Sequence, residues 1–352
     1  MIKPVQIGDY LIGKDQPCFI IAEAGVNHNG DINLAHKLID SASEAGADAV
    51  KFQSFISEDL VTLEAPKAGY QVKTTGESGG QYAMLKALEL SAKQQAELKS
   101  HCEKVGILYL CTPYEEKSID MLDKLDVDAY KIASTDTTNT LLLRYIAQKG
   151  RPVILSTGMC SLGEVETAMT TLCENGLKDK IVILQCTSEY PTPINEVNLR
   201  VIQAMEYAFN CPVGFSDHTS GIGATPWAVA LGACIVEKHF TLDRCMKGPD
   251  HSASLEPLEF KQLVQTIRNV EVALGDGIKC LMASEINNKP KMQKSLVVKH
   301  DIKAGEIVRA EDLTCKRPGT GLSPTWVDMV AGKVAKTNLK SDEILRIESI
   351  VW

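Results

Sequence analysis

Three absences narrow the reading of this chain. Positive charge is not in excess. There are 37 Lys and Arg against 45 Asp and Glu, for a formal net charge of −8. Bulk attraction to nucleic acid or to an anionic membrane is therefore not expected, and any anionic ligand must be held by a local cluster of cations. Long apolar runs are missing too. None approaches the roughly 20 residues that span a bilayer, and the opening MIKPVQIGDY lacks the apolar centre of a signal peptide. Finally, the 11 cysteines form no CxxC pair, their number is odd, and Cys18, Cys111, Cys186 and Cys234 sit inside apolar runs. That pattern suits buried thiols in a reducing compartment. The expected setting is a soluble, cytoplasmic protein.

What is present is a recurring unit. Eight short runs rich in Val, Ile and Leu occupy 18–23, 48–53, 107–112, 128–134, 152–157, 181–187, 212–218 and 234–239. Most have consecutive apolar residues, as parallel strands covered on both faces require. Amphipathic stretches alternate with them. Helices fit 33–45, 91–104, 115–125, 139–149, 162–175, 196–208, 222–232 and 257–274, with Ser91, Asn139 and Gly221 as punctuation. Eight such units predict a (β/α)8 barrel over residues 1–280. A doubly wound open sheet is the runner-up, but no GxGxxG follows the first strand.

Two departures from regularity stand out. The segment 54–90, which contains KTTGESGGQ, doubles the distance between the second and third strands. It follows a strand's C-terminal end, so it is expected to hang over the catalytic face as a lid or a subunit contact. After about Gly277 the repeat stops. A linker at 281–291 leads to a tail, 292–352, with β-like pieces SLVV, GEIV and EILRI and turns at 303–305 and 317–321. The tail carries 10 Lys and Arg against 8 Asp and Glu. A slightly basic domain of about 60 residues beside an acidic one is marginal alone and is expected to dock.

The strand ends concentrate chemistry. His218 and His239 close the seventh and eighth strands, 21 residues apart. All barrel strands end on one face, so two such imidazoles can meet in one cleft and hold a divalent ion. Either alone is more often a satisfied core histidine; the pair at matching strand ends is what favours a function. Lys51, Gln53 and Lys131 lie within strands; Ser134, Ser156 and Ser216 lie at strand ends. Lysines supply point charge and hydroxyls supply short donors, the combination that a phosphate beside a carboxylate needs. A strand lysine paired with a neighbouring carboxylate is the plain alternative; a Schiff base is another. Glu23, which ends the first strand, is the candidate acid or base, or else the partner of Lys51. Asp217 and Asp250 are weaker candidates near the metal or a substrate hydroxyl. Tyr190 is placed to stack on a sugar or to pack in the core. His28 in NHNG fixes a turn or touches the phosphate or the lid, and His251 reads as flexible loop.

Together these pieces resemble the sialic acid synthase family over essentially the whole chain. The matching motifs are IAEAGVNHNG (21–30), AVKFQ (49–53), CTPYE (111–115), YKIAS (130–134), VILSTGM (153–159), CTSEYPTP (186–193), VGFSDHT (213–219), EKHFTLD (237–243), GPDHSASLEP (248–257) and KRPGTG (316–321). The resemblance implies a TIM barrel followed by a small β-rich antifreeze-like (SAF) domain. It implies condensation of phosphoenolpyruvate with an open-chain N-acetylated hexosamine, giving a nine-carbon 2-keto acid and phosphate. N-acetylmannosamine is the expected sugar. A 2,4-diacetamido-2,4,6-trideoxymannose, leading to legionaminate, is the alternative, and another phosphoenolpyruvate-dependent 3-deoxy sugar acid synthase is a remoter one. The family pattern also implies a divalent cation, Mn2+ ahead of Mg2+ or Co2+, and a domain-swapped homodimer. Carried over by motif, His218 and His239 resemble the metal ligands. Lys51, Lys131, Ser134, Ser156 and Ser216 resemble the phosphoenolpyruvate cradle, Gln53 is a further substrate-binding residue, and Glu23 lies near the reacting carbons. Ser188, Tyr190 and Asp250 fall on the sugar side, and Arg317 resembles an arginine delivered by a partner subunit. Some members have Asn where Ser188 stands, and the shorter side chain leaves room for a different substituent. CTSEYPTP and KRPGTG fit the neuraminate and legionaminate branches better than the pseudaminate branch.

Overall fold

A computed structural model describes residues 2–76 and 80–352. The chain divides into two compact units, Met1–Gly275 and Asp276–Trp352. The first opens with an antiparallel hairpin, β1 (Val5–Ile7) and β2 (Tyr10–Ile12). Eight parallel strands follow: β3 (Phe19–Gly25), β4 (Ala49–Ser54), β5 (Leu108–Pro113), β6 (Tyr130–Ile132), β7 (Val153–Ser156), β8 (Ile181–Cys186), β9 (Val213–Asp217) and β10 (Ile235–His239). Their hydrogen-bonded order is β5-β4-β3-β10-β9-β8-β7-β6. β5 and β6 pack side by side, so the sheet curls into a barrel as predicted and the open-sheet alternative falls.

Helices cover the outside. Their starts match the capping residues in the sequence. In α1 (Ile32–Glu44), Asp31 accepts from the Asn33 N–H, and Ala35, Leu38, Ile39 and Ala42 face the sheet. The lid region holds three short helices, α2 (Ser57–Leu60), α3 (Gly69–Thr75) and α4 (Gln81–Lys86); part of KTTGESGGQ, residues 77–79, lies outside the described residues. α5 (Ala92–Val105) begins at a Ser91/Gln94 capping box and ends at the left-handed Gly106. α6 (Glu116–Lys124), α7 (Thr140–Ala147, capped by Asn139), α8 (Leu162–Leu172), α9 (Arg200–Phe209), α10 (Thr225–Ala230) and α11 (Pro257–Leu274) complete the layer. α9 and α10 are shorter than their patterns suggested. Glycine and turn residues 221–224 precede α10, and a separate 3-10 turn, Ile194–Glu196, precedes α9.

Strand parity sorts the side chains into two layers. Ile20, Ala22, Val50, Phe52, Tyr130, Ile132, Val213, Phe215 and Val236 face the helices. Phe19, Ile21, Ala49, Ile154, Val182, Leu184 and Ile235 face the barrel interior, joined there by Val5, Ile7 and Ile12 of the hairpin. The hairpin was not foreseen, because two three-residue strands leave no periodic signal. It fills the interior near the strands' N-terminal ends. Gly214 belongs to the inner row because a side chain there would sit 2.4 Å from the Ile235 carbonyl oxygen.

The second unit contains two small antiparallel sheets. β11 (Ser295–Val298) pairs with β12 (Leu313–Lys316), and β13 (Val334–Ala335) with β14 (Ile350–Val351). Leu296, Val298, Ile302, Val308, Leu313, Leu345 and Ile350 form its own core. SLVV is a strand as read. The GEIV and EILRI segments contribute only isolated bridges, Ile307 to Val334 and Ile344 to Val297. The linker residues 281–291 are exposed.

Candidate active site

The inner parity that buries Ile21, Ile154 and Ile235 delivers different residues one or two steps later. Glu23, Lys51, Gln53, Lys131, Ser156, Ser216, Glu237 and His239 all continue inward-facing rows at the strands' C-terminal ends, and His218 follows β9. All of them border one cavity of about 500 Å³, as do Ser134, Ser188, Tyr190 and Asp250. Twelve of the thirteen residues that the family resemblance marks therefore converge. The thirteenth, Arg317, lies in the second unit, where its Nε donates to the Met292 carbonyl at 3.0 Å.

The floor is a buried charge network. Lys51 Nζ sits 2.7 Å from Glu23 Oε2 and 3.6 Å from Glu237 Oε2. Lys131 Nζ donates to Ser156 Oγ at 2.6 Å and lies 3.7 Å from Glu237 Oε1. Ser216 Oγ donates to the same Glu237 oxygen at 2.9 Å, and the Gln53 amide donates to Glu23 Oε1 at 3.2 Å. Burial alone would raise the Glu237 carboxyl, but Lys131 and Lys51 outweigh it and hold it down at about 2. Burial raises Glu23 despite Lys51. Lys51 is held charged: burial opposes its charge, but Glu23 and Glu237 prevail. Lys131 is lowered by burial, which Glu237 only partly offsets. The pairing of Glu23 with Lys51, one of the alternatives read from sequence, is thus realised within the pocket.

A second wall carries the imidazoles. The His218 and His239 ring centroids are 5.4 Å apart, and Tyr190 packs 4.2 Å from the first and 5.4 Å from the second. Tyr70 of α3 continues the stack, 4.8 Å from Tyr190. His218 Nδ1 lies 2.7 Å from the Thr187 carbonyl oxygen, which must accept its hydrogen, so Nε2 carries the lone pair. Burial would lower His218, but Cys186 and the Thr187 carbonyl raise it, so a cation at Nε2 competes with a proton. Burial, then His218 and Lys51, push His239 well down, and its buried Nδ1 has no hydrogen-bond partner among the described residues. Two imidazoles of this kind fit a divalent ion. Among the described residues no group of three or more His, Cys, Asp or Glu is arranged to hold one. The protein would give two ligands and leave the remaining positions to water and substrate.

Between these walls, Asp250 is buried, and burial together with the Glu23 charge raises its carboxyl to about 7. Opposite, the Gly158 N–H donates to Ser134 Oγ at 2.9 Å. A methyl group on Gly158 would come within 2.2 Å of Ser188 Oγ and 2.8 Å of Ser134 Oγ, so glycine is what lets the two hydroxyls gather there.

Two readings need correction. Asp217 takes no part in the cavity. It is fully buried, accepts from the backbone and hydroxyls of Thr219 and Thr225, and pairs with Lys238 at 3.2 Å. His251 is not a flexible loop residue. It is buried, with Nδ1 2.7 Å from Thr241 Oγ1 and Nε2 3.2 Å from Asn29 Oδ1. For His28 the turn reading holds: it accepts from the Gly30 N–H at 3.0 Å and does not border the cavity. Sequence reasoning passed over Glu237 and Tyr70. For Glu237 the signal was present: it shares parity with His239.

Residues 38–279 match the model of the NeuB family, and 293–351 match the SAF domain. The chain belongs to the NeuB family. It is 51% identical over 328 residues to the N,N'-diacetyllegionaminic acid synthase of Campylobacter jejuni, covering 93% of this chain and 98% of that one. It is 44% identical to the enzyme of the same name from Legionella pneumophila, covering 96% of each. Among solved structures, the N-acetylneuraminic acid synthetase of Leptospira borgpetersenii superposes with a TM-score of 0.72 at 37% identity, over 82% of this chain and 95% of that one. The member described here is thus a sialic acid synthase-like enzyme with a C-terminal SAF domain, and small molecules are its substrates. Among the described residues no helix is long and apolar enough to cross a membrane.

Proposed function

We propose that the cavity condenses phosphoenolpyruvate with an open-chain N-acetylated hexosamine and water, releasing phosphate and a nine-carbon 2-keto acid. The observation that carries this reading is the floor itself: two lysines and two hydroxyls of opposed strands face one space beside paired imidazoles. Lys51, Lys131, Ser156 and Ser216 hold the carboxylate and phosphate of the enol phosphate. C3 of phosphoenolpyruvate attacks the sugar's aldehyde carbon, forming the new C–C bond. Water adds at C2, and phosphate leaves by C–O cleavage. Glu23, steered by Lys51 and Gln53, orients that water and takes its proton. The fixed charges need no rearrangement as charge develops, which is where such a site gains most of its rate. His218 and His239 would hold a divalent cation, Mn2+ in this reading, whose chemistry is to polarise the aldehyde oxygen.

N-acetylmannosamine is the simplest sugar for this site. The 2,4-diacetamido-2,4,6-trideoxy sugar is the second reading, favoured by the identity to the two legionaminate enzymes. The enzyme is cytoplasmic in this reading, and it works as a domain-swapped homodimer in which the partner's tail brings its arginine, equivalent to Arg317, to the sugar. Phosphate release with added Mn2+ tests the core of the proposal. His218→Ala and His239→Ala are each expected to abolish it, and undiminished turnover in either refutes the metal role. Light scattering of the purified chain tests the dimer, and a monomer at working concentration overturns it.

A further inference from the structure

The β9–β10 ladder pairs Phe215 with Val236 and Asp217 with Lys238, and it ends there, one residue short of His218. Phe215 and Val236 face the helices and are apolar. Asp217 and Lys238 stand two residues along in the same rows, fully buried yet charged. Stability alone does not account for such a pair, because apolar side chains of similar volume commonly serve it as well or better. What the pair adds is a tie that runs past the end of the ladder. Lys238 Nζ lies 3.2 Å from Asp217 Oδ2 and donates to the Thr219 carbonyl at 2.5 Å. Asp217 Oδ1 accepts from the Thr219 N–H at 2.8 Å and from its hydroxyl at 2.6 Å. Oδ2 accepts from the Thr225 N–H at 3.1 Å and from its hydroxyl at 2.6 Å. Gly223, at φ +63°, lets the turn close, since a side chain there would come within 2.9 Å of Oδ2.

These bonds enclose the backbone of His218. The peptide that follows it has its N–H on Asp217 and its carbonyl on the Thr192 N–H at 2.8 Å, so both polar atoms are fixed. The next carbonyl, that of Thr219, is tied across to β10 through Lys238, the neighbour of His239. The His239 ring gets little help of its own, because its Nδ1 has no hydrogen-bond partner among the described residues; its place follows from the backbone of β10. Resting on the metal role proposed above for the two imidazoles, we infer that Asp217 and Lys238 are positioning residues. From the helix-facing side of the barrel they fix the ends of β9 and β10 to each other, and so hold the His218 and His239 rings at their 5.4 Å separation ready for a divalent cation.

The test uses the full chain and Mn2+ alone, with binding read from the electron paramagnetic resonance signal of free Mn2+. Lys238→Met removes the tie and leaves Asp217 its four donors. It is expected to weaken Mn2+ binding about 10- to 100-fold, the usual cost of losing a partner behind metal ligands. The Kd for phosphoenolpyruvate, measured without Mn2+, is expected to stay the same. Ile154→Ala, a destabilising change at the opposite end of the barrel, is expected to bind Mn2+ as the parent chain does. Thr225→Val keeps the side-chain volume and removes one donor to Asp217. It is expected to weaken Mn2+ binding about 10-fold, and it carries the test if Lys238→Met does not fold. The inference is overturned, and the metal role left standing, by unchanged Mn2+ affinity in the folded variants, by an equal loss of phosphoenolpyruvate affinity, by an equal loss in Ile154→Ala, or by failure of both variants to fold. A parent chain that binds no Mn2+, or binds it equally with His218→Ala, overturns the metal role, and the inference falls with it.

Discussion

The inward-facing rows of the barrel have opposite chemistry at their two ends. Near the strands' N-terminal ends the rows are Phe19, Ile21, Ala49, Ile154 and Ile235, closed off by Val5, Ile7 and Ile12 of the hairpin. Two residues along the same rows stand Glu23, Lys51, Ser156 and Glu237, equally buried. One end removes apolar surface from water and stabilises the fold at roughly 25 cal/mol per Å². The other strips charges of water and recovers the cost only through mutual pairing. The backbone is the same; what differs is whether a ligand must be met. Binding sites of this kind are assembled at the expense of stability.

Substitutions at the two ends should therefore behave oppositely. Among the substitutions that compare the two ends, the largest effect is expected from Lys131→Met. Losing the cation between Ser156 and Glu237 should lower kcat/KM about 1,000-fold, or about 4 kcal/mol, mostly through KM for phosphoenolpyruvate, as steady-state kinetics would show. A fall in kcat alone would break the assignment of Lys131 to binding. At the apolar end, Ile154→Ala should cost roughly 2–5 kcal/mol in denaturant unfolding, with KM values unchanged under folding conditions. If KM moved with stability, the two ends would not be separable.

A third prediction concerns pH. Burial, with His251 nearby, lowers His28 from its ordinary value of 6.5 to about 4. The unfolded chain takes up this proton first, so the folded state loses stability as pH falls from 6.5 towards 4, by roughly 3 kcal/mol in all. His28→Asn keeps an acceptor for the Gly30 N–H and removes the titration. Urea midpoints measured against pH should flatten in that variant; an unchanged slope would show that other groups carry the effect. The smallest change is expected at the surface. Lys3 and Asp179 pair at 2.9 Å with both side chains largely exposed. Lys3→Ala should shift stability by less than about 1 kcal/mol, a baseline against which the buried Lys51–Glu23 pair can be judged.

Much of the barrel was legible because its signals are local. The eight apolar runs, the Ser91 and Asn139 starts, and the length of the 54–90 excursion are read from neighbouring residues. Glu23 could be chosen without coordinates because it ends the first strand, and Lys51 and Lys131 because a charge inside a buried apolar strand is costly without a partner or a function. The misjudged residues depended on partners far along the chain. Asp217 looked reactive beside His218, but strand parity turns it outward to Lys238 and Thr225. His251 looked mobile in a Gly- and Ser-rich loop, but Thr241 and Asn29, the latter 222 residues away, hold it. Tyr70 gave no signal, because its role comes only from stacking on Tyr190.

By itself, then, the chain's order of residues determined the alternation of strand and helix and which side chains share a strand face, because both follow from short-range periodicity; closure came only with the packing of β5 against β6. Tertiary structure alone decided that Glu237 sits between two lysines and that Asp217 and His251 support the scaffold. Those facts depend on distances between strands and loops that are remote in sequence, and such distances exist only once the barrel has closed.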